Sequence, residues 1–143
     1  MLVIGIGNSG RSDDGLGWAF LDRIGKDRLF SGQAEYRYQL QVEDAALAST
    51  AERLVFVDAC RDDLEGGYRW TMCAPLSDFQ FTTHTLPPGA VMHYCKTLFE
   101  REPMAHLLEI QGFRWDLRVG LSRPAEANLE RALAFFRQKI LDA

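Results

Sequence analysis

The 143 residues predict a single α/β domain over 1–143, built as three layers: a doubly wound, mostly parallel twisted sheet of about five strands with helices on both faces. Three observations carry that expectation. The runs Leu2-Val3-Ile4-Gly5-Ile6 and Leu54-Val55-Phe56-Val57 are apolar without polar alternation, as strands covered on both faces require. Stretches with apolar residues at helical spacing separate the strand candidates, and that alternation builds parallel sheets through right-handed crossovers. The length suits one self-supporting core rather than two.

Taken in order, Leu2 to Ile6 is strand one, closed by glycines. Leu16, Phe20, Leu21 and Ile24 recur at helical spacing, so Asn8 to Asp14 is a strand-to-helix loop in which Ser12 or Asp13 is placed to cap the helix. Tyr36 to Val42 alternates loosely and reads as strand two; Asp44 to Thr50 reads as a short helix. Leu54 to Asp58 is the clearest strand. Glu65-Gly66-Gly67 is a turn, followed by a hairpin-like edge strand from Tyr68 to Cys73 that Pro75 stops. Pro75 to Gly89 has no sustained period and predicts a long loop carrying Phe79, Phe81 and His84. Val91, Cys95, Leu98 and Phe99 mark a helical stripe, and His106 to Phe113 a strand with Leu108 and Ile110 on one face. Leu129, Ala132, Leu133, Phe136 and Ile140 define the last helix, with Ser122 as N-cap and Pro124 in its first turn.

Composition narrows the function. Sixteen Lys and Arg against 20 Asp and Glu give a net charge of −4, which provides no broad basic footprint for nucleic acid or anionic lipid. Cys60, Cys73 and Cys95 are an odd number without a C-x-x-C, as expected in a reducing cytoplasm. The opening apolar run is too short for a signal peptide or a membrane span. Proteins and small ligands are the expected partners.

In a doubly wound sheet, ligands bind beyond the carboxyl ends of the strands at the topological switch point. Asp13 and Asp14 follow strand one, Asp58 ends the third strand, and His84 precedes a helix, so all four can converge there. Two carboxylates and an imidazole suit a divalent transition metal. From composition and period alone the same residues fit better as a capping acid, a strand-end acid and a loop histidine, because such acids are common. Gly5-Ile6-Gly7-Asn8-Ser9-Gly10 is a literal G-x-G-x-x-G between strand and helix, the setting of a nucleotide-binding Rossmann-like module. Asp13 and Asp14 oppose that reading by placing negative charge where a pyrophosphate would lie, and Glu43 alone is a candidate for ribose hydroxyls. The glycines then serve a tight turn and close packing. Cys60 is better placed as a small hydrophobe than as a nucleophile, and His93 and His106 receive no role. Trp115, Phe79 and Phe81 suit either core cover or a peptide groove.

Ile4-Gly5-Ile6-Gly7-Asn8, Asp13-Asp14-Gly15-Leu16-Gly17, Val57-Asp58-Ala59 and Thr83-His84, taken together with Gly120-Leu121-Ser122 and its helix, resemble the hydrogenase maturation endopeptidases over essentially the whole chain. That resemblance implies an enzyme that trims the C-terminal extension from the nickel-loaded large-subunit precursor of a [NiFe] hydrogenase. It implies that Asp14, Asp58 and His84 contact metal; for the catalytic attack on the peptide bond two options stay open, a water held by Asp14 or Asp58 as general base, which is favoured, and Lewis-acid polarisation of the scissile carbonyl by the metal. Gly5, Gly7, Asn8 and Gly15 become loop-forming residues that bring Asp14 over the sheet edge. The nickel would arrive with the precursor rather than stay as a cofactor, and no nucleotide is expected. Gln39-Leu40-Gln41-Val42-Glu43-Asp44 departs from the Asp-Gly-Gly-type turn of many members. A non-catalytic adaptor for hydrogenase assembly is the competing expectation.

Overall fold

In the computed structural model, which describes residues 1–77 and 86–141, the chain forms five strands and four α-helices. They are β1 (Leu2–Ile6), α1 (Leu16–Ile24), β2 (Gln33–Arg37), α2 (Asp44–Ala48), β3 (Arg53–Cys60), β4 (Tyr68–Met72), α3 (Pro88–Phe99), β5 (Met104–Gln111) and α4 (Arg123–Leu141). The sheet order is β2-β1-β3-β5-β4, with β4 alone antiparallel. The expected single doubly wound domain is therefore observed.

Alternation along the strands separates two cores. Val3, Val55, Val57, Leu108 and Ile110 face α1 and α4, where they meet Leu16, Phe20, Leu21, Leu129 and Phe136. The Phe20 and Phe136 rings cross edge to face at 5.2 Å, a geometry that the ring quadrupoles favour. Leu2, Ile4, Leu54, Phe56 and Ala105 point the other way, onto Ala45 and Ala48 of α2 and Val91, Met92 and Cys95 of α3. Each central strand thus buries both faces, which is why β1 and β3 read as continuous apolar runs.

Several boundaries differ from the sequence expectation. Strand two occupies Gln33–Arg37 instead of 36–42, because its parallel register on β1 ends where β1 ends, at the Ile6–Arg37 pair. The helix after it stops at Ala48: the Ser49 and Thr50 hydroxyls donate to the carbonyls of Ala46 and Leu47, competing with helix continuation. β4 is an edge strand as expected, but its partner is β5 rather than the preceding strand, so it is not part of a hairpin. In α3 the buried stripe is Val91, Met92 and Cys95; Leu98 and Phe99 face outward. β5 starts and ends two residues earlier than its pattern suggested, since it follows the longer β3 from the Arg53–Met104 pair to the Cys60–Gln111 pair. Ser122 is the N-cap of α4, accepting a hydrogen bond from the Ala125 N–H at 3.3 Å. Among the described residues, no helix is long and apolar enough to cross a membrane.

Candidate active site

The strand order reverses between β1 and β3, since β2 lies on one side of β1 and the later strands on the other. Pairing of β1 with β3 runs only to Gly5–Val57, so Asp58 is the first β3 residue beyond the end of that ladder. The loop after β1 brings Asp14 to the same place. Gly7 makes this approach feasible: its φ is +146°, and a Cβ there would stand 2.0 Å from the Asp14 carbonyl oxygen. That carbonyl instead accepts the Asn8 N–H at 3.1 Å, while the Asn8 side chain accepts the Gly10 N–H at 2.9 Å. One turn later, Gly17 seats α1 directly on the sheet, because a Cβ there would come within 2.5 Å of the Ile6 carbonyl and 2.6 Å of that of Val57. Gly5 faces Gly17, and buried Gly15 packs on Ser9. Of the four residues expected to form this loop, Gly7 and Asn8 meet Asp14 directly, whereas Gly5 packs on α1 and Gly15 on Ser9.

The two adjacent acids of this loop have opposite environments. Asp13 is completely buried and caps no helix, contrary to expectation for it or Ser12. Its carboxylate accepts the backbone N–H groups of Phe113 (2.7 Å), Arg114 (2.9 Å) and Ser122 (2.7 Å) and the Ser122 hydroxyl (2.7 Å). Burial pushes its pKa up, but these hydrogen bonds outweigh burial and leave it below the ordinary Asp value. Asp13 is thus the clasp between the β1 loop and the segment joining β5 to α4. Asp14 is only half-buried and carries no such set of donors. Burial raises its pKa, against the opposing pull of Arg11, Arg61 and the Asn8 N–H.

Asp58 accepts the Ala59 N–H at 2.8 Å. Its carboxyl is pushed up to about 7, first by burial and then by the charges of Asp14 and Glu109, with the Ala59 bond opposing. The structure therefore brings Asp14 and Asp58 into electrostatic contact. His84 lies outside the described residues, as do Phe79 and Phe81. Among the described residues, no three His, Cys, Asp or Glu side chains form a group that could hold a metal ion.

Other neighbours of the site were not singled out by the sequence. Glu109 sits beside Asp58 in the β3–β5 register and is held by Arg69 at 2.8 Å; its signal was an acid between the apolar Leu108 and Ile110 of one strand. Arg61 follows β3 and stacks over Trp115, which is thereby placed beside the site rather than in a core. Gln111 ties the β3 exit down by accepting the Leu64 N–H at 2.8 Å. Cys60 is buried and its thiol is raised, chiefly by burial, so it remains a protonated small side chain instead of a nucleophile. His106 stacks on Trp70 at 4.5 Å, towards the amino end of β5 and away from Asp58.

No protein-family model and no curated protein matches the chain. Solved structures do. The hydrogenase maturating endopeptidase HybD from Escherichia coli superposes with a TM-score of 0.77 at 16% identity, covering 99% of this chain and 91% of that one. A [NiFe] hydrogenase maturation protease, HycI from Thermococcus kodakarensis, gives 0.70 at 23% identity, covering 99% and 92%. A hydrogenase 2 maturation peptidase from a Thaumarchaeota archaeon gives 0.69 at 16% identity, covering 97% and 96%. Over nearly its entire length, the chain has the fold of the hydrogenase maturation endopeptidases.

Proposed function

We propose that this protein is a peptide-bond hydrolase that removes the C-terminal extension of a nickel-loaded [NiFe] hydrogenase large-subunit precursor. The observation that carries this reading is the meeting of Asp14 and Asp58 at the β1/β3 switch point of a fold shared with solved maturation endopeptidases. In this reading Asp14, Asp58 and His84 contact the nickel that the precursor brings. The metal then acts as a checkpoint, because gating needs only a higher affinity for loaded than for empty precursor. One carboxylate orients the attacking water. Asp14 or Asp58 is the candidate general base, taking the water proton and returning it to the leaving amine.

The nucleotide alternative has less support. The turn that would receive a pyrophosphate is filled by the chain itself, with the Asp14 carbonyl against Gly7 and bound by Asn8. The three free thiols support a cytoplasmic setting. Intact-mass spectrometry of nickel-loaded and metal-free precursor, before and after incubation, tests the proposal. Loss of a C-terminal peptide from the loaded form alone is expected, and Asp14→Asn, Asp58→Asn and His84→Ala should each abolish it while leaving far-UV circular dichroism unchanged. Binding without shortening would instead identify an adaptor.

A further inference from the structure

We propose that Arg61 is a catalytic residue of this site, supplying the positive charge that receives the scissile carbonyl oxygen as it becomes an oxyanion; the proposal rests on the hydrolase reading above. Arg61 directly follows Cys60, the last residue of β3, and so lies three residues beyond Asp58. Its guanidinium carbon stands 4.3 Å from the centre of the Trp115 ring. Such stacking holds the planar fork in place without using its N–H donors. Among the described residues Arg61 makes no ion pair, and in this it is like Arg11, the other arginine whose charge acts on Asp14. Its charge nevertheless acts on Asp14.

The stacking partner is itself fixed. Trp115 lies in the segment clasped by Asp13, whose own N–H donates to the Arg114 carbonyl at 3.0 Å. The ring also packs so closely on Gly112 that a Cβ there would come within 2.9 Å of it. A guanidinium held over Trp115, with no hydrogen bond or ion pair among the described residues, has N–H donors available to a developing oxyanion. In the step itself, the water oxygen bonds to the carbonyl carbon and a carboxylate takes the water proton. The carbonyl π pair moves onto oxygen beside the guanidinium. Collapse then restores the carbonyl, breaks the C–N bond and delivers the proton to the departing amine.

The test is single-turnover cleavage of the nickel-loaded precursor by wild type, Arg61→Ala, Arg61→Lys and Trp115→Ala. Arg61→Ala is expected to lower the rate about 10²–10³-fold with precursor affinity and Tm unchanged, as removal of an oxyanion donor does. Millimolar guanidinium should partly restore this variant and leave Trp115→Ala unaffected, a rescue that a structural role would not permit. Arg61→Lys should fall between, since it keeps the charge without the stacked fork. Cleavage by Arg61→Ala within threefold of wild type, or a loss confined to affinity, would overturn the proposal. Failure of the wild type to cleave loaded precursor would remove the hydrolase reading and this role with it.

Discussion

Replacing Asp58 by Asn should make the folded protein more stable at neutral and alkaline pH while abolishing cleavage. Burial, chiefly, with the nearby charges of Asp14 and Glu109, holds the Asp58 carboxyl at about 7 against an ordinary value of 3.8. Between those values the folded chain keeps a proton that the unfolded chain has released. Stability therefore falls as pH rises through that window and is level above it. At about 1.36 kcal/mol per pH unit, the ceiling is about 4 kcal/mol. Asp58 is half-buried rather than sealed, so solvent screening brings the expected gain of the variant to about 1–2 kcal/mol at pH 8. Asn is the right replacement because its carbonyl can keep the Ala59 N–H bond of 2.8 Å. Urea unfolding of metal-free wild type and variant at pH 4, 6 and 8 provides the assay. The gap should be small at pH 4 and open towards pH 8 with the m-value unchanged. Equal stability at pH 8, or a gap independent of pH, would mean that the folded protein does not hold a proton on Asp58.

Asp13→Asn should act in the opposite direction. It places an amide donor against donors that now meet a carboxylate, and should lose about 2–4 kcal/mol in urea unfolding at pH 7. Because the folded pKa of Asp13 is depressed, its contribution is complete above the ordinary value of 3.8 and is lost as pH falls through the lower folded value. The variant should lack that acid limb in a pH titration of Trp fluorescence. Gly7→Ala should displace the Asp14 loop, since the new Cβ meets the Asp14 carbonyl oxygen at 2.0 Å. A loss of about 2–4 kcal/mol is expected, read as a lower midpoint in urea, and processing should fall even at temperatures where the variant remains folded.

The fold class followed from local pattern because β1 and β3 are each covered on both faces, and the apolar run this demands is visible without any partner. The last helix was legible for a similar reason: its buried stripe and its Ser122 cap lie within one segment. Strand two and β4 were less legible. Both lie at sheet edges, where the register on a neighbour rather than the residues themselves decides where pairing stops or which strand is paired.

The candidate site divides along the same line. Asp14 and Asp58 could be picked out, since a strand end and the loop after a strand are fixed by sequence order. What distinguishes Asp13 from Asp14 was not legible. Two adjacent aspartates look alike in a sequence, and only packing of the segment 112–122 onto the β1 loop makes one a buried clasp with four donors while leaving the other half-open. Arg61 over Trp115 and Glu109 beside Asp58 likewise join residues some fifty positions apart. Residue pattern and chain order already set the layers, the succession of strands and helices, and the acids available to the site. The tertiary structure alone decided which acid holds its proton near neutral pH, because desolvation and the field of neighbouring charges exist only once those distant segments are packed together.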